Sequence, residues 1–186
     1  IFWRGQPNGA SFGSNDFDSF PRSSFLYRTQ NLAYVDAGFP EYPAQVNPDF
    51  AQRIKEKFAL KPYASKQEAL RNKYLVDIDG QSCSYERMAW IMYSNSLLIK
   101  HQSDKVQWYY DRLKPGVNYL PIATDFSNIE EQYSWAESHP REVAKIIHNA
   151  RNLALEVFSE NGVRKATAEA FDKYQMLTMA LLSKAP

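Results

Sequence analysis

Between residues 73 and 139 the chain alternates between two periodicities. Short apolar runs rich in β-formers read as strands: "KYLVDIDG" (73–80), "SLLIKH" (96–101) and "VNYLPIA" (117–123), the last interrupted at Pro121. Helical patterns separate and follow them. Tyr85, Met88, Ala89 and Met92 carry the i, i+3, i+4, i+7 stripe of an amphipathic helix, and "DKVQWYYDRL" (104–113) and a capped "SNIEEQYSWAES" (127–138) predict two more. This rhythm predicts βαβ units, hence an α/β fold with a mostly parallel sheet and helices on both faces.

The flanks extend the pattern. "IFWRG" at the start reads as a buried strand, which suggests a fragment whose upstream sequence lies elsewhere. A long polar stretch, "QPNGASFGSNDFDSFP", predicts an exposed loop; "RSSFLYRTQN" (22–31) predicts a short helix and "LAYVDAGF" (32–39) a strand that breaks at Gly38. Asn47 and Pro48 place a cap and first turn before a helix from 49 to about 60, and Ser65 with Glu68 forms a capping-box signature for a short helix up to Asn72. Behind Pro140, the residues Val143, Ile146, Ile147, Ala150, Leu153 and Val157 share one face of a long helix. Asn161-Gly162 is expected to end it, with a second helix over 163–182. Residues 1–140 thus form the main lobe and 141–186 a helical extension packed on it. There is no internal repeat.

Composition narrows the function. The 186 residues carry 22 basic and 21 acidic side chains, a net charge of +1, so nothing favours nucleic acid as a partner. No run is long enough for a membrane span, and no signal peptide is visible. The single cysteine, Cys83, excludes an internal disulfide and fits a reducing compartment. The 12 tyrosines and 4 tryptophans serve core and interface packing first, with stacking on a base or sugar as the alternative. His101, His139 and His148 are scattered, so no metal site is expected.

The candidate chemistry lies where the strand at 73–80 meets the next helix. In open parallel sheets ligands bind beyond the carboxyl ends of the strands. Gly80 permits a sharp turn and close approach of a ligand; Ser82, Cys83 and Ser84 are small enough to leave their amides accessible; Arg87 falls in the first helical turn. Amides, helix dipole and guanidinium fork together suit a phosphate, best a pyrophosphate. The alternatives are a plain Asp-Gly turn, Ser82 or Ser84 as an N-cap, and Arg87 facing water. Asp77 and Asp79 could share a cation, or Asp77 could make a structural hydrogen bond while Asp79 belongs to the turn.

Several stretches, in order, resemble glycosyltransferase family 90: "FWRG" at 2–5, "YVDAGF" at 34–39, "KYLVDIDGQSCSYER" at 73–87, "SNSLLIK" at 94–100, "WYYDRLKPGVNYLPI" at 108–122 and "DFSNIEEQYSWA" at 125–136. The resemblance implies a Rossmann-like donor-binding lobe of a two-lobed GT-B enzyme, whose N-terminal acceptor lobe is absent here. It implies an inverting, metal-independent transfer of glucose, xylose or a related sugar from a UDP donor to a glycan, lipopolysaccharide or protein hydroxyl, with no cofactor. Arg4, Gly5, Gly80, Ser82, Cys83, Ser84 and Arg87 would hold the donor phosphates, and Asp36 and Asp79 the nucleoside. The catalytic base would come from the upstream lobe. A cytoplasmic site in a bacterium follows, or the endoplasmic reticulum lumen in a eukaryote. A non-catalytic nucleotide-sugar-binding or docking module is the competing reading.

Overall fold

The computed structural model describes residues 1–8, 20–42, 48–84 and 86–182. The Asn47 cap, Tyr85 and most of the predicted loop after "IFWRG" lie outside the described residues. Five strands, β1 (Phe2–Arg4), β2 (Asp36–Gly38), β3 (Tyr74–Asp77), β4 (Leu97–His101) and β5 (Leu120–Ile122), form one sheet in the order β2-β1-β3-β4-β5. Every pairing is parallel. This is the α/β, Rossmann-like arrangement expected from the alternating pattern. Pro121, which has no N–H to donate, is tolerated because β5 lies at the sheet edge.

Strand alternation divides the core into two layers. Trp3, Tyr74, Val76, Leu97 and Ile99 pack on one face against α1 (Pro21–Thr29), α2 (Pro48–Lys57) and α5 (Ile129–Ser138), through Phe25, Phe50, Ile54 and Ala136. Phe2, Leu75 and Leu98 face the other way, onto Met88, Ile91 and Met92 of α4 (Arg87–Met92) and Ala69 of α3 (Lys66–Ala69). The helix α6 (Pro140–Val157) serves both layers. Val143 and Ile146 join the first, and Ala150, Leu153 and Val157 the second, along the predicted apolar stripe.

Four boundaries differ from expectation. The strand read over 32–39 is paired only at Asp36–Gly38, and the capping-box helix stops at Ala69 although its cap forms as predicted. No helix spans 104–113; only Tyr110–Arg112 makes a 3-10 turn. Tertiary contacts override its helical pattern: Lys105 Nζ donates to Gly80 O (2.5 Å) and Cys83 Sγ to Val106 O (3.2 Å), holding this segment against the β3–α4 junction. Asn161-Gly162 does not end α6, which stops at Val157 with Phe158 as cap. Both residues instead belong to the first turn of α7 (Glu160–Leu182), where the Gly162 N–H donates to Ser159 Oγ (2.9 Å). A Cβ at Gly162 would sit 2.1 Å from Glu156 O, so glycine lets the two helices meet closely. Along α7 no described residue is buried.

Candidate phosphate-binding site

The order β2-β1-β3-β4-β5 reverses direction between β1 and β3, and a crevice opens beyond the carboxyl ends of these two strands. Two arginines converge there. Arg87, at the start of α4, donates from Nη2 to Arg4 O (2.5 Å) and lies 5.6 Å from the centre of the Trp3 ring. Arg22, in the first turn of α1, lies 5.8 Å from the same ring. Trp3 is 1% exposed, so one buried indole carries two cations. Arg22 Nη1 donates to Gln6 O (2.9 Å) and to Asn8 Oδ1, Nη2 donates to Ile78 O (3.3 Å), and the buried Nε has no partner. Among the described residues neither guanidinium is paired with a carboxylate.

Arg4, Arg22, Ser84 and Arg87 line the polar wall of a cavity of about 330 Å³. Its apolar wall includes Phe2, Leu75, Trp90 and Ile91, and an ion pair between Lys66 and Glu86 (3.1 Å) links α3 with the start of α4. A charged rim above an apolar slot suits a nucleotide better than a free inorganic anion. Burial lowers the Arg22 guanidinium to about 10, with the neighbouring Arg87 charge acting in the same direction and Asp77 and Asp79 opposing it. Burial also lowers Arg87, with Asp77 opposing. Both stay charged at neutral pH, and their mutual repulsion is what a bound anion would relieve.

The residues singled out from sequence fall into two groups. Arg4, Ser84 and Arg87 reach the cavity. Arg4 is, however, engaged: its Nη2 grips both carboxylate oxygens of Asp36 (2.8 and 2.9 Å), and its guanidinium lies 4.7 Å from the centre of the Phe2 ring. Asp36 also pairs with Lys61 (3.5 Å), so here it serves as an anchor for basic side chains. At Gly5 a Cβ would meet the Trp3 ring at 2.6 Å, which explains the glycine by close packing.

The loop after β3 departs from the expected cradle. The helix that follows has only six residues, starting at Arg87, and Glu86 caps it without a side-chain hydrogen bond. The Ser84 N–H turns inward to Asp79 Oδ1 (3.2 Å) and the Gly80 N–H to Ser82 O (3.0 Å), so neither faces a ligand. The amides of Ser82 and Cys83 make no hydrogen bond among the described residues. Gly80 makes room for protein rather than for ligand, because its missing Cβ would lie 2.6 Å from Asn8 Oδ1 and 2.9 Å from Arg22 Nη2. Asp79 is buried within the loop, where it also accepts from Ser103 Oγ.

Sequence reasoning missed Arg22. The available signal was its place: the first turn of the helix after β1 must lie at the carboxyl end of that strand, beside the β3 junction. It missed Lys100 as well, whose ammonium lies 3.4 Å from Asp77 and 3.9 Å from Asp79. Among the described residues no group of three or more His, Cys, Asp or Glu side chains is arranged to hold a metal ion, and no helix is long and apolar enough to cross a membrane.

The profile of glycosyl transferase family 90 matches residues 22–183. Protein O-glucosyltransferase 2 of Danio rerio is 30% identical over 105 residues, 56% of this chain and 21% of the relative. O-glucosyltransferase LpsA of Dichelobacter nodosus is 32% identical over 103 residues, 53% of this chain and 32% of that protein. Protein O-glucosyltransferase 3 of Mus musculus is 26% identical over 155 residues, which cover 83% of this chain and 29% of the relative. The chain therefore spans between a fifth and a third of the length of these relatives.

Proposed function

The chain belongs to glycosyl transferase family 90, and from that premise we propose that it is the donor-binding lobe of an inverting, UDP-sugar-dependent glycosyltransferase of GT-B architecture. The transferred sugar is glucose, xylose or a related sugar, and the acceptor a hydroxyl of a glycan, lipopolysaccharide or protein. The observation that carries this reading is the pair of buried Arg22 and half-buried Arg87, both over Trp3 and without carboxylate partners among the described residues, at the switch point of the sheet. When the bond from sugar to UDP breaks, negative charge grows on the β-phosphate; fixed guanidinium groups stabilise it most where water is scarce. Two such groups supply the charge that a metal ion provides in other transferases. The slot bounded by Phe2 and Trp90 receives the nucleoside, with Arg4 at its entrance. The Arg4–Asp36 ion pair orders this rim. The carboxylate base that deprotonates the acceptor belongs to an upstream acceptor lobe of the same polypeptide. This reading places the enzyme in the bacterial cytoplasm, or in the endoplasmic reticulum lumen of a eukaryote.

Calorimetric titration with UDP tests the reading. Saturable binding is expected, weakened at least tenfold by Arg22→Ala and by Arg87→Ala. A folded chain that shows no heat at millimolar UDP would refute it. UDP binding without transfer, restored to transfer by an added acceptor lobe, fits the donor-lobe assignment; failure to restore it favours the docking-module alternative.

A further inference from the structure

Beside the arginines lies a second, buried charge cluster made of Asp77, Asp79 and Lys100. Asp77 and Lys100 are register partners on adjacent parallel strands, so both project from the same face of the sheet. Asp79, two residues beyond Asp77, is 1% exposed and Asp77 fully buried. The Lys100 ammonium lies 3.4 Å from Asp77 Oδ2 and 3.9 Å from Asp79 Oδ1, and 4.9 Å from the centre of the Tyr110 ring. Each acid then holds the loop. Ser84 Oγ donates to Asp77, Ser84 N–H to Asp79 (3.2 Å) and Ser103 Oγ to Asp79. Lys105, from the same segment as Ser103, donates to Gly80 O (2.5 Å).

We propose that Lys100 is a positioning residue for the phosphate site: its ammonium bridges Asp77 and Asp79, offsetting one of their two charges, and through them fixes Ser84 and the loop that leads to Arg87. The physical need is plain. Without the ammonium the two buried carboxylates would face only the unpaired Arg22 and Arg87 charges, repel each other and draw in water, and the hydrogen bonds on Ser84 would loosen. Arg87 lies three residues beyond Ser84, and a displacement of about 1 Å is enough to spoil a charge-assisted contact. Lys100 touches no ligand in this scheme. The inference rests on the phosphate-site reading given above.

The test uses Lys100→Met and Ser84→Ala in the 186-residue chain. UDP and uridine are titrated separately by calorimetry, and amide hydrogen exchange is recorded without ligand. Positioning predicts that UDP affinity falls about tenfold in Lys100→Met and several-fold in Ser84→Ala, while uridine, which lacks phosphates, binds as it does to the wild type. It also predicts faster exchange confined to residues 79–87 and 103–107. Equal losses for UDP and uridine would mark a merely structural role and overturn the proposal, as would UDP affinities within twofold of wild type. Should Lys100→Met fail to fold, Ser103→Ala, which removes a bond to Asp79 from outside the cavity, decides by the same criteria. Should the wild type not bind UDP, the functional reading falls, whereas local loosening in the exchange data would still establish the loop support.

Discussion

Gly80→Ala isolates the geometry on which the arginine pair depends. The added methyl would approach Asn8 Oδ1 to 2.6 Å, Arg22 Nη2 to 2.9 Å and Arg22 Cζ to 3.1 Å. Unstrained heavy-atom contacts of this kind begin near about 3.5 Å, so the guanidinium must retreat by roughly half an ångström. Its bond to Ile78 O is already 3.3 Å long and would break. A hydrogen bond from a charged group contributes about 1.5–3 kcal/mol, and overpacking costs about 1–3 kcal/mol. A loss of about 2 kcal/mol in stability is therefore expected, and about tenfold in UDP affinity, since 1.4 kcal/mol corresponds to a decade. Urea unfolding measures the first and calorimetry the second. The decisive control is a double-mutant cycle with Arg22→Ala: once the guanidinium is gone, the alanine at position 80 should cost at most half as much, with a coupling of about 1 kcal/mol. Strict additivity of the two substitutions would refute the claim that Gly80 exists to seat Arg22.

Ser65→Ala removes a cap in which Ser65 Oγ accepts from the Glu68 amide (3.2 Å) while Glu68 Oε2 accepts from the Ser65 amide (2.7 Å); urea unfolding should register about 1 kcal/mol lost. Burial pushes the phenols of Tyr74, Tyr109, Tyr110 and Tyr119 up, helped at Tyr74 by its bond to Glu137. They stay neutral in the fold while unfolded tyrosines ionise from about pH 10, so the stability present below pH 10 should drain away as pH rises above it. Arg22, lowered to about 10, and Arg87, also lowered by burial, work in the opposite sense but are two groups against four. Denaturant midpoints from pH 8 to 11 should fall, and less steeply in Tyr110→Phe. Truncation before Ala168 removes no buried residue of α7, so the melting free energy should change by less than about 1 kcal/mol.

The sheet was legible because its strands, though short, alternate with helices whose apolar faces repeat cleanly. Leu75, Val76 and Ile78 announce β3, and the stripe from Val143 to Val157 announces α6, since burial on a regular face leaves a regular spacing. What sequence could not show were choices made by tertiary contact. The helical spacing at 104–113 gives way to Lys105 and Val106 binding the β3–α4 junction, and Asn161-Gly162 marks a close helix crossing instead of a stop. At the site, Arg87 was readable from its place after "DG", because local spacing carries it to the strand end. Arg22 had only the weaker signal of its place after β1, since it is the pairing of β1 with β3 that brings it beside Arg87. The inward turn of the Ser84 amide was hidden for a similar reason: an Asp two residues past a strand can face ligand or loop, and Lys100 on the next strand decides which.

The position of β1 has a consequence for how the chain acquires its shape. A central strand drawn from the first residues pairs on one side with Asp36–Gly38 and on the other with β3, Phe2 against Leu75. A polypeptide emerging in order must therefore keep Phe2 and Trp3 waiting until Leu75 has been made. Loops of that length close late and at entropic cost, so the middle of this sheet is a late event in folding and the interval before it the period most exposed to misassociation.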